Sequence, residues 1–266
     1  MAIESRFVET EFGRFHVESV GQGAPWLFIH GGTASAREWR WVLPGLGEHA
    51  RCIAIDRLGC GESDRSQRGY DRQTLTSSLF ACADALGLDR FGVVGQSFGG
   101  FWGLSMAFAQ PERISGLVVV NGAGGPMTDA ELAEWETRAA QRRAEPTDPE
   151  AAIERTMQEI FADPTRVPAS FRDDLRWQTA HAAPGQLGAV ANDRGLLARE
   201  RYDRLNVPTL VVWGEADTMI PAERGRRLAA AIPGARYVGL PGVGHTCQIE
   251  APREFIDAVA PFLDGP

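Results

Sequence analysis

Six short apolar runs recur along this chain with helical stretches between most of them, and no other feature restricts its fold as strongly. Trp26 to His30, Cys52 to Asp56, Phe91 to Gly95, Leu117 to Asn121, Thr209 to Trp213 and Arg236 to Leu240 are rich in Val, Ile and Leu. Helical patterns cover Arg37 to Glu48, Asp71 to Leu86, Phe98 to Ala109, Ala222 to Ala231 and Arg253 to Leu263. Such alternation predicts an α/β fold, a mainly parallel sheet with helices on both faces. Two further strands, Arg6 to Glu11 and Arg14 to Val20, meet at Gly13 in a hairpin and bring the expected sheet to eight strands.

The rhythm stops between Gly124 and Asn206, where no convincing strand pattern occurs. This stretch reads as a helical insertion. Thr128 and Glu131 form a capping-box pattern for a helix to about Ala144. Asp148-Pro149 opens a second, with Ile153, Met157, Ile160 and Phe161 on one face. Further helices are expected over Ser170 to His181 and Gln186 to Leu205. The predicted organisation is a core of residues 1–124 and 206–266 with an insertion of residues 125–205.

Composition removes several function classes. The formal charge is -8, which disfavours nucleic acid or an anionic membrane as partner and favours a small molecule. Lysine is absent, all 27 residues of the Lys and Arg class being arginine. Schiff-base, pyridoxal phosphate and Walker-type chemistry all need a lysine amine. Cys52, Cys60, Cys82 and Cys247 have no metal-ligand spacing and are expected to be reduced thiols. No metal or cofactor is expected. Met1 to Arg6 lacks a basic start followed by an apolar signal core, and no run approaches a membrane span, so the expected compartment is the cytoplasm. Oligomeric state is not readable.

Gly95-Gln96-Ser97-Phe98-Gly99 places a serine where an apolar run gives way to a helical one. A sharp strand-to-helix turn strains its central residue and projects the side chain outward, and the flanking glycines avoid clashes with neighbouring elements. A serine so placed needs a base, an acid to orient the base, and donors for an oxyanion. Asp217, just past Thr209 to Trp213, and His245, in Gly242-Val243-Gly244-His245, follow later strands. Loops at the carboxyl ends of parallel strands share one rim, so the three can converge in the order Ser, Asp, His. Glu215 competes with Asp217 but lies closer to its strand. His30 reads as a loop-fixing histidine, while His16, His49 and His181 have no accompanying motif. Asn121 cannot supply a carboxylate.

With these motifs the chain resembles the α/β-hydrolase superfamily of capped serine hydrolases. His30-Gly31-Gly32 resembles its oxyanion loop, Asp56-Arg57-Leu58-Gly59-Cys60-Gly61-Glu62-Ser63 its glycine-containing loop, and His245 to Pro252 its histidine loop. The resemblance implies Ser97 as nucleophile, His245 as general base and acid, Asp217 as the orienting acid, and the N–H groups of Gly32 and Phe98 as oxyanion hole. It also implies that residues 125–205 form a helical cap. The expected reaction is cleavage of a carboxylic ester, thioester or lactone through an acyl-enzyme.

Carbon-carbon bond hydrolases of vinylogous diketones share the core, yet usually carry Gly-Pro-Gly where this chain has Thr33-Ala34-Ser35, and tryptophan where it has Thr246. A non-catalytic or slow ligand receptor on the same fold is the alternative outside enzymes. Serine at the turn argues against dehalogenases and epoxide hydrolases, which use aspartate there. Trp39, Phe98, Phe101, Trp102, Trp135, Phe161, Trp177 and Met219 suggest, as a group, an apolar or aromatic substrate, although most would individually serve in packing.

Overall fold

A computed structural model describes residues 2–32, 34–144, 148–181, 183 and 197–265. Eight strands form one sheet: β1 (Glu4–Thr10), β2 (Gly13–Val20), β3 (Pro25–Ile29), β4 (Arg51–Ile55), β5 (Phe91–Gln96), β6 (Ile114–Val120), β7 (Thr209–Gly214) and β8 (Arg236–Leu240). Their order is β1-β2-β4-β3-β5-β6-β7-β8. The β1–β2 hairpin and the β2–β4 pair are antiparallel, and every later pair is parallel.

Helices flank this sheet because alternate side chains of its central strands are apolar in both directions. Leu27, Ile29, Val93, Leu117, Val119, Val211 and Trp213 enter one core, shared with α2 (Arg72–Ala85), α3 (Phe98–Ala109) and α7 (Ala222–Ala231). Trp26, Phe28, Val94, Val118, Val120, Leu210 and Val212 enter the other, against α1 (Leu43–Leu46) and α9 (Pro252–Leu263). Strands buried on both faces lose the polar alternation of a half-exposed strand, which is why they read as continuous apolar runs.

Between β6 and β7 lie α4 (Asp129–Ala144), α5 (Pro149–Ile160) and α6 (Phe171–His181). Thr128 and Glu131 form the expected reciprocal cap, with Glu131 N donating to Thr128 Oγ1 at 3.2 Å and Thr128 N to the Glu131 carboxylate at 2.8 Å. The Asp148 side chain caps α5 by accepting from Ala151 N at 3.0 Å.

Three local features depart from expectation. The helix expected over Arg37 to Glu48 is two short pieces, a 3-10 turn at Ala36–Trp39 and α1. Pro44 has no N–H to continue a helix through Arg40, so winding restarts with the proline in its first turn. A four-residue helix, α8 (Cys247–Glu250), precedes α9 and was not expected. Most of the helix expected over Gln186 to Leu205 lies outside the described residues, as does Thr33. The described end of that stretch includes a 3-10 turn at Tyr202–Arg204. No helix among the described residues is long and apolar enough to cross a membrane.

Candidate active site

β5 ends at Gln96 and α3 begins at Phe98, so Ser97 alone makes the turn, with φ 50° and ψ −113°. A non-glycine residue there costs about 1–3 kcal/mol unless the surroundings hold it. They do: Ser97 N donates to Val120 O at 2.9 Å, and Ser97 O accepts from Ala123 N at 2.8 Å and Gly100 N at 3.0 Å. A β-carbon on Gly99 would stand 1.9 Å from Ile29 O, so only glycine lets α3 start this close to β3.

The histidine loop reaches the same place. Gln96 Nε2 donates to His245 O at 3.0 Å, tying that loop to the end of β5 beside Ser97. His245 is 4% exposed, and its Nδ1 lies 2.8 Å from Asp217 Oδ2. The carboxylate accepts, which puts the ring proton on Nδ1 and leaves Nε2 as the lone-pair nitrogen of the neutral imidazole. Among the described residues no hydrogen bond joins Nε2 to the Ser97 hydroxyl.

Asp217 is fixed on every side. Oδ1 accepts from Met219 N at 2.8 Å and Ile220 N at 2.9 Å, while Oδ2 also accepts from Asn121 Nδ2 at 2.7 Å. Glu215 is engaged elsewhere, accepting from Arg226 at 2.5 Å and from the Tyr237 hydroxyl at 3.0 Å.

Asn121 is the residue that sequence reasoning missed. It follows β6 with φ 43° and is fully buried. Its Oδ1 accepts from Gly214 N at 3.1 Å and from the Cys247 thiol at 3.0 Å, which orients its amide so that Nδ2 faces Asp217. Burial pushes the Cys247 thiol well above its ordinary pKa, so it stays a neutral donor. The available signal was position, a polar residue closing an otherwise apolar strand.

On the other side of Ser97 runs the loop after β3. A β-carbon on Gly31 would lie 2.4 Å from Gln96 Oε1 and 3.5 Å from Ser97 Cβ, so the loop presses against the turn. His30 Nδ1 donates to Gly31 O at 2.8 Å, and His30 Nε2 accepts from Arg57 N at 3.1 Å. Burial, reinforced by the Arg57 charge, holds the His30 pKa down to about 3, so the ring is neutral and structural. Arg57 Nη2 donates to Gly31 O at 2.9 Å and also to Gly32 O. Glu38 accepts from Gly31 N at 3.2 Å and from Gln248 Nε2 at 3.3 Å, and burial pushes its pKa up to about 8.

The motif after β4 ties the end of β4 to the neighbouring β2 and to the loop after β3. Asp56 accepts from His16 Nδ1 at 2.9 Å, Ala36 N at 2.6 Å and Glu62 N at 2.8 Å. The bond to Asp56 raises the His16 pKa against the effect of burial.

Above the histidine loop sits the end of α5. Ile160 O accepts from His245 N at 2.8 Å and Thr246 N at 3.2 Å. The buried Glu250 carboxylate accepts from Gly244 N at 2.8 Å, Ala162 N at 3.1 Å and Asp163 N at 2.8 Å. Phe161 then packs with Phe171, Trp41 and Ile249. Trp39, Phe101 and Trp102 belong to the two sheet cores. Among the described residues no group of three or more His, Cys, Asp or Glu is placed to hold a metal ion.

Comparison with known proteins gives the family. Residues 25–252 match the family described as alpha/beta hydrolase fold, and the chain belongs to that family. It is 31% identical over 265 residues to a 2-hydroxymuconate semialdehyde hydrolase of Pseudomonas sp. (strain CF600), covering 94% of this chain and 90% of that one. It is 30% identical over 250 residues to the dihydrolipoyllysine-residue acetyltransferase component of an acetoin cleaving system of Pseudomonas putida. That match covers 91% of this chain and spans 64% of the length of that protein. Among solved structures, a hydrolase from Pseudomonas aeruginosa PA01 is similar with a TM-score of 0.82 at 26% identity, covering 99% of each chain. The chain is a hydrolase of this family.

Proposed function

We propose that the chain is a cofactor-independent serine hydrolase that cleaves a carboxylic ester, thioester or lactone through an acyl-enzyme. The observation that carries the reading is the buried Asp217–His245 pair, tied through the His245 carbonyl to the strand end that precedes Ser97. His245 Nε2 takes the Ser97 proton as Oγ attacks the acyl carbon. Negative charge on the former carbonyl oxygen is met by the N–H groups of Phe98 and Gly32. His245 then gives the proton to the leaving oxygen or sulfur, and water repeats the sequence to free the acid. Each oxyanion donor contributes a factor of about a hundred or more.

Residues 125–205 act in this reading as a cap over the site. The bonds that His245 N and Thr246 N donate to Ile160 O, and those that Ala162 N and Asp163 N donate to Glu250 of the histidine loop, support it, and the aromatic cluster around Phe161 supports an apolar or aromatic acyl group.

A screen of esters, thioesters and lactones graded by acyl length, with wild type and Ser97→Ala, tests the proposal. Turnover unchanged in the variant would sink it. A fluorophosphonate probe should label wild type at Ser97, and failure to label points to a ligand receptor instead. Carbon-carbon bond hydrolysis is the second reading, favoured by the identity to 2-hydroxymuconate semialdehyde hydrolase. Loss of ultraviolet absorbance from a conjugated dienone, with little ester turnover, would replace the first reading with the second.

A further inference from the structure

We infer that Arg57 is a positioning residue that aims the Gly32 N–H into the site, by holding from behind the peptide to which that N–H belongs. The inference deepens the proposed function and rests on the roles given there to Ser97 and Gly32.

In a trans peptide the C=O and N–H point in opposite directions across one rigid plane. The Gly31 carbonyl and the Gly32 N–H share such a plane. Two donors converge on that carbonyl, Arg57 Nη2 at 2.9 Å and His30 Nδ1 at 2.8 Å. Holding the oxygen therefore sets the direction of the N–H on the far side. The preceding peptide is held as well, through Gly31 N and Glu38. With glycine at 31 and 32 the backbone has wide conformational freedom, so the orientation comes from these partners.

Arg57 does more than donate a hydrogen bond. Its side chain is 2% exposed, and among the described residues no carboxylate lies within ion-pair distance of its guanidinium. Its partners are instead the Gly31 and Gly32 carbonyls and the Cys60 sulfur. A buried cation on a carbonyl oxygen draws electron density from the amide and makes its N–H a stronger donor. The same charge sits behind the place where an oxyanion forms, at low local dielectric. Both effects are larger for the transition state than for a neutral substrate carbonyl, so they act on kcat.

Steady-state kinetics of Arg57→Met and Arg57→Gln on the best ester test the inference. Gln keeps an N–H donor without the charge, and it decides the matter if the Met variant does not fold. Loss of charge and orientation should lower kcat by about 10- to 100-fold with KM changed less than about threefold. Guanidinium at low millimolar concentration should restore part of the activity of Arg57→Ala, whereas equal concentrations of urea or sodium should not. Unchanged kcat in a folded variant, or a raised KM at constant kcat, would overturn the inference. Fluorophosphonate labelling of wild type at Ser97 separates the two failures. Without the label the proposed function fails, and with it a fully active Arg57 variant refutes the positioning role alone.

Discussion

The two flanks of Ser97 are organised in opposite ways. On the acid side, one carboxylate is surrounded by dipoles: Asp217 takes N–H bonds from Asn121, Met219, Ile220 and His245. On the flank proposed to hold an oxyanion, one dipole is held from behind by a charge, since the Gly31 carbonyl meets the buried Arg57 guanidinium. Beside it lies Glu38, whose pKa burial has moved to about 8. Losing a group therefore has different consequences on the two flanks. On the acid side a substitution removes a buried charge, while on the other flank it frees a peptide to turn or removes the titration of Glu38.

The largest expected effect comes from removing the charge on the acid side. Asp217→Asn should lower kcat by about 10³- to 10⁴-fold, because the amide favours the wrong imidazole tautomer. A loss of only tenfold, measured on the best ester, would show that Asp217 does not orient the base. Asn121→Leu should be milder in rate and costly in stability. It strands the Gly214 N–H in a fully buried place and takes one donor from Asp217, while the Cys247 thiol keeps Gly244 O at 3.7 Å. A stranded donor costs about 1–3 kcal/mol, so denaturant unfolding should show a loss of at least about 1 kcal/mol. Stability close to wild type would mean that water or another group takes over the amide's bonds.

Glu38 tests the other flank. Its folded pKa of about 8 exceeds the ordinary 4.5, so between those values the folded state holds a proton that the unfolded state has released. Stability must then fall as pH rises through this window. Glu38→Gln removes the titration and keeps an acceptor for Gly31 N. Its Tm should rise relative to wild type as pH goes from 4.5 toward 8, and parallel Tm profiles would refute the buried acid. The smallest effect is expected away from both flanks. Arg166→Ala breaks a half-exposed pair with Glu254, and should change stability by less than about 0.5 kcal/mol.

What could be read from the sequence follows the same division. Strand positions were legible because burial on both faces writes itself as runs such as Leu117 to Val120. Ser97, Asp217 and His245 could be singled out because the proposed chemistry needs those side chains at strand ends; in the structure Asp217 pairs with His245, whose carbonyl accepts from Gln96 beside Ser97. Asn121 was passed over because an amide cannot replace a carboxylate, and nothing local shows that its partners are Asp217, Gly214 and Cys247. The hold of Arg57 on Gly31 was hidden for a similar reason, since carbonyl orientation is a property of the folded loop. The break at Pro44 was visible as a proline and lost to the stronger apolar pattern around it.

The bonds that join the end of α5 and the residues after it to the histidine loop, through Ile160 O and through Glu250, have a mechanical meaning. The main chain of His245 is fastened to the end of α5 as closely as to its own sheet. If residues 125–205 cap the site and His245 is its base, as proposed, any movement of that end pulls on the backbone of the imidazole and couples access to the base.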